Sequence, residues 1–271
     1  GIPYFWGTRA NTPNDAIPGA LEWVKQTYPD KKTVGLMGWD IGEPNNTTIK
    51  TDVLAKIKAA GFEYNNLYEL VPVGNQDFSA VIPKIKANEP DVLLVSVYGQ
   101  EPGSFHSQAV TAGLKALQVN FEFTPDGVNA SKGSYAKNGF TFAYDYFDSA
   151  NPTSPLAKLF VSEFEKKYGE KPDFYAANFY ENTLVMWEMI RRVKAKGGDI
   201  NSGEALDAAL QENLTVVSVY GGDASTVGTY TLDAKTHSVI KRQMGVFEFK
   251  DDKVTPKAFY GINGEGFALA K

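Results

Sequence analysis

Cysteine is absent from all 271 residues. That excludes disulfides, thiolate metal sites and a cysteine nucleophile, and is permissive for an oxidising compartment. Histidine occurs twice, as His106 and His237. His106 falls on the helix after a buried strand and His237 in a polar loop, so both read as surface residues and imidazole catalysis has little to work with. No apolar run approaches the roughly 18 residues needed to span a bilayer. Positive charge is not in excess: the net charge is −5 and the pI is near 5.2, against the basic face a nucleic-acid partner requires. The opening residues, Gly1 to Trp6, lack the charged start of a signal peptide and read as the middle of a structured protein.

Catalytic signatures are missing as well. There is no H-E-x-x-H zinc motif, no G-x-x-x-x-G-K-[ST] phosphate loop and no G-x-S-x-G elbow. The run Gly261 to Gly266 imitates a dinucleotide fingerprint, but no helix follows it, and it reads as a tail loop. No pair of carboxylates stands out as an acid–base couple. The chain therefore reads as a binding protein, not an enzyme, with neither cofactor nor metal expected.

What is present is a repeat of buried strand and polar helix. The apolar runs Thr33 to Met37, Tyr64 to Val71 and Val92 to Val97 are separated by helix-like segments, Asn45 to Ala60 and Asp77 to Asn88. Alternation of this length argues for βαβ units and a parallel sheet. Such sheets bind small ligands at the carboxyl ends of their strands, where this chain carries Trp39, Asp40, Tyr98, Gln100 and Asp126. Aromatic residues make up 13% of the chain, enough to fill a core and also to line a ligand site.

Further helices are expected over Ala16 to Tyr28, Glu101 to Ala112, Leu156 to Tyr168, Asp173 to Ala195 and Ser202 to Gln211. Strands are expected over Ile2 to Gly7, Val119 to Thr124 and Gly139 to Phe147. Gly228 to Leu232 and Gln243 to Lys250 read as two late antiparallel strands joined through Asp233 to Lys241.

The order of segments resembles one family. Tyr4-Phe5-Trp6-Gly7-Thr8, Asp77-Phe78-Ser79-Ala80-Val81-Ile82, the strand Asp91-Val92-Leu93-Leu94, the helix Gln108 to Leu114, the turn Thr124-Pro125-Asp126-Gly127-Val128 and the strand Gly245 to Phe249 each resemble a family segment. Together they make residues 2 to 250 similar to the C-terminal two-thirds of a type I periplasmic solute-binding protein, of the branched-chain amino-acid group that serves ABC importers. The resemblance implies an α/β fold of two lobes with parallel sheets flanked by helices, and a solute bound between them. Residues 11–138 and 226–250 would form a complete lobe, 1–10 and 139–225 the remainder of another that lacks its first hundred or so residues, and 251–271 a C-terminal tail. An incomplete lobe would expose apolar sheet surface and favour self-association.

The same resemblance places site residues. Tyr98 falls at or beside a family aromatic that contacts the ligand. Asp126 falls where the family often has a Glu for a ligand ammonium; it also reads as the cap of a turn with Gly127. Ile41 stands where the family has a Tyr before Gly, and Trp39 either supplies the missing ring or packs beneath the loop. The implied ligand is a small amino acid or a related carboxylate or amide. The implied partner is a membrane permease, and the implied location is periplasmic or extracellular, lipid-anchored in a Gram-positive. A ligand-sensing receptor ectodomain of the same fold is the alternative.

Overall fold

The structure is a computed structural model that describes residues 4–10, 13–220 and 228–271. The chain divides into two compact units: Asn11–Tyr144 with Met244–Lys271, and Gly1–Ala10 with Asp145–Gln243.

The first of these, the larger, is a layered α/β unit. In chain order it contains α1 (Ile17–Thr27), β1 (Thr33–Asp40), α2 (Asn45–Ala59), β2 (Glu63–Pro72), α3 (Ile82–Ala87), β3 (Val92–Ser96), α4 (Glu101–Thr111), β4 (Leu117–Asn120), α5 (Pro125–Ala130), α6 (Ser134–Asn138) and β5 (Phe140–Tyr144). The sheet order is β2-β1-β3-β4-β5, every pair parallel. Val34 to Gly38 of β1 and Val92 to Val95 of β3 are buried throughout, the unbroken apolar pattern of strands covered on both faces. Asp91 fastens the amino end of the sheet: its Oδ2 accepts from the backbone of Lys32 (2.8 Å) and Thr33 (2.9 Å). One core layer packs Met37, Leu67, Phe78, Ile85, Leu93 and Phe105 together. Another is aromatic, with Phe123 stacked on Phe142 at 4.6 Å and Tyr135 on Phe140 at 3.6 Å.

His106 is a core residue, not a surface one. It is 4% exposed, its Nδ1 lies 3.0 Å from Ser134 Oγ and its Nε2 3.0 Å from the Gly139 carbonyl. A carbonyl only accepts, so Nε2 carries the proton. Burial holds the ring's pKa down to about 4. The helical turn that carries His106 faces Tyr135 and Phe140, a pairing that spacing along α4 does not reveal.

The smaller unit contains α7 (Pro155–Tyr168), α8 (Phe174–Ala195), α9 (Gly203–Gln211) and a three-stranded antiparallel sheet of β6 (Thr215–Val217), β7 (Thr229–Leu232) and β8 (Val239–Lys241). Ser154, Asp173 and Ser202 cap the three helices, each accepting from the backbone N–H three residues on, as short polar side chains at this position do. A buried ionic cluster lies at its centre. Arg242 reaches Asp145 at 3.3 Å and Glu181 at 2.5 Å, and its guanidinium sits 4.4 Å and 4.6 Å from the ring centres of Tyr220 and Tyr230. Desolvation works against the Arg242 charge, yet Glu181 and Asp145 hold its pKa above the usual arginine value.

The chain then returns to the larger sheet with β9 (Met244–Lys250), β10 (Lys253–Tyr260) and, after a 3₁₀ turn at Ile262–Gly264, β11 (Ala268–Leu269). These extend the order beyond β5 as β9-β10-β11, all antiparallel.

Several expectations are corrected here. The late strands do not form one hairpin: β7 pairs with β8, and β9 pairs with β5 and β10. Residues 251–271 are not a tail, because β10 and β11 complete the larger sheet. The division falls at 144/145 and 243/244 instead of 138/139 and 225/226, because β5 is hydrogen-bonded into the sheet. The expected strand at Ile2 to Gly7 is no strand from Tyr4 onward. Tyr4 and Phe5 are 52% and 64% exposed, and the backbone pairs irregularly: the Gly7 N–H donates to the His237 carbonyl at 2.8 Å, while the Phe5 and Thr8 carbonyls meet the side chains of His237 and Arg242. Apolar residues make a strand only where a neighbour takes up the backbone. The exposed apolar surface of this unit lies mainly on a helix instead of a sheet: Tyr175, Phe179, Met186 and Trp187 of α8 all face outward.

Candidate functional site

The carboxyl ends of β1 and β3 bring Trp39 and Tyr98 into contact. Their rings meet edge to face at 4.9 Å and 65°, a favoured aromatic geometry. The Tyr98 hydroxyl lies 3.0 Å from Ser96 Oγ. Trp39, Ile41 and Tyr98 line a cavity of about 410 Å³ that runs from the strand ends toward α1 and α2. Both rings are half-buried, while Ile41 is exposed.

The other three expected residues do not line this cavity. Asp40 organises its own loop. Its Oδ1 accepts from Asn46 Nδ2 at 2.7 Å and from the Gly42 N–H at 3.1 Å, and these bonds, that from Asn46 first, hold its pKa below the usual carboxylate range. Asn46 returns an acceptor to the Ile41 N–H at 3.0 Å, so the start of α2 and the end of β1 are one hydrogen-bonded turn. Gln100 is exposed at the start of α4, where it makes no side-chain cap. Asp126 is exposed in the first turn of α5. The cap of that turn is Thr124, not Asp126: Thr124 Oγ1 accepts from Gly127 N–H at 3.0 Å and donates to the Gly99 carbonyl at 3.2 Å. A negative charge in the first turn is favourable to α5 through its dipole.

Sequence reasoning missed two buried carboxylates beneath the rim. Glu101 is 2% exposed; it accepts the indole N–H of Trp39 on one oxygen and the Gly74 N–H on the other. It thereby joins the loops that follow β1, β2 and β3. Burial raises its pKa, the hydrogen bonds from Trp39 and Gly74 oppose that, and the nearby Glu122 adds to it. Glu122, also 2% exposed, accepts the Gly99 N–H. The available signal for Glu101 was an acidic residue at the first position of α4, after the loop that follows β3 and before Pro102, a position that reads as ordinary helix-dipole pairing.

The smaller unit carries its own cavity, of about 610 Å³, between the segment Tyr4 to Arg9 and the α8 residues Phe174, Tyr175, Phe179 and Met186. The Arg9 guanidinium lies 4.0 Å from the Phe174 ring centre and its Nε donates to Asp145 at 3.3 Å. Trp6 stacks on His237 at 4.0 Å and donates to Asp207 at 2.7 Å. Among the described residues no group of three or more His, Asp or Glu side chains is placed to hold a metal ion, and no helix is long and apolar enough to cross a membrane.

A family model for periplasmic binding proteins matches residues 2–253. The chain belongs to that family, and its α/β architecture is the type I periplasmic-binding fold. Three solved structures illustrate the likeness. A leucine-, isoleucine-, valine-, threonine- and alanine-binding protein from Brucella ovis aligns with a TM-score of 0.75 at 16% identity, over 98% of this chain and 67% of its own. A solute-binding protein of an ABC transporter from R. palustris, in complex with benzoate, aligns with a TM-score of 0.72 at 17% identity, over 95% and 65%. A leucine-binding protein from Thermotoga maritima aligns with a TM-score of 0.71 at 18% identity, over 90% and 65%. The chain thus spans about two-thirds of the length of these proteins. No curated protein sequence matches it.

Proposed function

We propose that this chain acts in solute capture for an ABC importer, outside the cytoplasm, and carries out no chemistry on what it binds. The observation that carries the reading is the rim of the larger sheet, where Trp39, Ile41 and Tyr98 flank a cavity at the carboxyl ends of parallel strands. This is the place where open α/β sheets take small ligands. Membership of the periplasmic binding family supports it, as do structural neighbours that hold amino acids and benzoates.

The solute is a small amino acid or a related carboxylate or amide. Trp39 and Tyr98 supply its aromatic walls and Ile41 borders it, while Asp40, Gln100 and Asp126 lie outside this cavity, where a polar end of the solute would meet them. The receiving partner is a membrane permease, and the location is periplasmic or extracellular, lipid-anchored if the cell is Gram-positive. The outward apolar face of α8 supports self-association. Contiguous apolar surface of this kind commonly marks an interface.

The test is thermal unfolding against a panel of amino acids, amides and aromatic acids. A solute at a hundredfold over its dissociation constant stabilises by about 2.7 kcal/mol, which moves the midpoint by several degrees. A shift with one chemical class, lost in Tyr98→Ala, supports the reading. Turnover of any panel member, or a shift that Tyr98→Ala leaves intact, overturns it.

A further inference from the structure

We infer that the cavity beneath Trp39 and Tyr98 is a pocket for an uncharged, ring-sized apolar group that ends in a hydrogen-bond donor, and that it refuses an anionic group. The inference deepens the solute-binding reading and takes its biological meaning from it. The pocket lies wholly within the larger unit, and its volume of about 410 Å³ is in the range of sites that enclose small organic molecules.

The walls decide the chemistry. The strands contribute Leu36, Met37 and Leu94, the residue after β4 is Phe121, and α2 contributes Ile49 and Val53. Gly38 leaves part of the lining without a side chain; a Cβ there would stand at an ordinary contact distance, 3.5 Å, from the Ser96 carbonyl. The lining hydroxyls are committed, whereas Asn14 Oδ1 is a buried acceptor without a partner. The Tyr98 hydroxyl pairs with Ser96, the Thr48 hydroxyl donates to the Pro44 carbonyl and the Tyr68 hydroxyl to the Asn46 carbonyl.

Among the lining residues Asp52 is the one side chain charged at neutral pH, and it is exposed on α2. Among the described residues no lysine, arginine or histidine lines the pocket. A carboxylate pushed into it would lose its water and meet no opposite charge, which is costly. A hydroxyl at the outer end of the bound group would instead meet the Asp52 carboxylate. The apolar body of the solute therefore enters here, and any anionic end stays outside.

The probe is p-cresol, a neutral ring with one hydroxyl, compared with benzoate, a ring of similar size bearing a negative charge. Isoleucine methyl NMR reads the site directly, because Ile17, Ile41 and Ile49 line the pocket, whereas Ile82 and Ile85 lie in the core layer with Phe78 and report on fold integrity. Saturable shifts of Ile17, Ile41 and Ile49 with p-cresol are expected, with Ile82 and Ile85 unmoved and benzoate weaker by about tenfold or more.

Two variants keep the test sharp. Ile49→Trp, at a half-buried position, should fill the space and abolish the shifts. Asp52→Asn, at an exposed position, should leave the fold intact and narrow the gap between p-cresol and benzoate. Absence of p-cresol shifts, shifts that persist in Ile49→Trp, or benzoate binding as well as p-cresol would each overturn the inference. These readouts use no transport assay or solute panel, so the pocket can fail while solute capture stands, and the reverse.

Discussion

The indole N–H of Trp39 donates to the buried carboxylate of Glu101, 62 residues further along the chain. The same carboxylate accepts the Gly74 N–H, so one side chain sets the orientation of the aromatic wall and the spacing of three loops. Glu101 is a positioning residue. It lies under the rim and fixes the ring against which Tyr98 packs.

Replacing Glu101 by Ala removes the acceptor of the half-buried Trp39 indole and of the exposed Gly74 N–H; the indole, with less access to water, carries most of a loss of about 1–3 kcal/mol. Chemical denaturation should show a loss in that range, and near-ultraviolet circular dichroism should show a changed Trp39–Tyr98 signal in the folded protein. Because burial raises the Glu101 pKa, the native state favours its protonated form. Stability contributed this way is present at low pH and declines as pH rises through the ordinary carboxylate value toward the raised one. Glu101→Gln should flatten that part of the profile. An unchanged dichroism signal in Glu101→Ala would remove its positioning role.

Arg242→Met should be among the most destabilising substitutions in the smaller unit. It leaves the buried Glu181 carboxylate without its cation and Asp145 with Arg9 alone, and breaking a buried pair from one side costs about 3–5 kcal/mol. Urea melts of the variant and the parent check the loss.

His106 should titrate near pH 4 by NMR, since burial disfavours its charged form. A depressed histidine pKa contributes stability that is fully present above the unfolded value, about 6.5, and is lost as pH falls toward 4. His106→Gln should make the chain less sensitive to acid over that window. A measured pKa near 6.5 would contradict the buried placement.

Asp91 supplies the acid response at lower pH. Hydrogen bonds from the Lys32 and Thr33 backbone hold its pKa below the usual carboxylate range. The stability it contributes is present above the ordinary carboxylate value and is lost as pH drops through the depressed one. Asp91→Asn should lower stability at neutral pH and reduce the steepness of acid unfolding. Equal losses at pH 7 and pH 3 would show that the substitution acts through packing alone.

The parallel sheet was legible because its strands are continuous apolar runs, and Val34 to Met37 and Val92 to Val95 admit no other placement than a core. The helices were legible from caps and breakers, with Asp173 and Ser202 marking their starts. Trp39 and Tyr98 were legible as residues at the carboxyl ends of parallel strands; that their rings meet was not. Glu101 was not, since nothing in Gln100-Glu101-Pro102 distinguishes a buried acceptor from an exposed first-turn acid.

The sequence by itself determined the alternation of strand and helix, the absence of thiol and zinc-motif chemistry, and the residues offered at the strand ends. Those are local properties: side-chain apolarity, backbone breakers and spacing along one segment. Tertiary structure decided which partners those segments took. It put β9 into the large sheet and β8 beside β7, drew His106 into an aromatic core, gave the capping of α5 to Thr124 instead of Asp126, and closed Arg242 onto Asp145 and Glu181. Apart from the Thr124 cap and the β7–β8 pairing, these join residues far apart along the chain, and a hydrogen bond or ion pair between distant groups is chosen by the burial around it, which no single segment encodes.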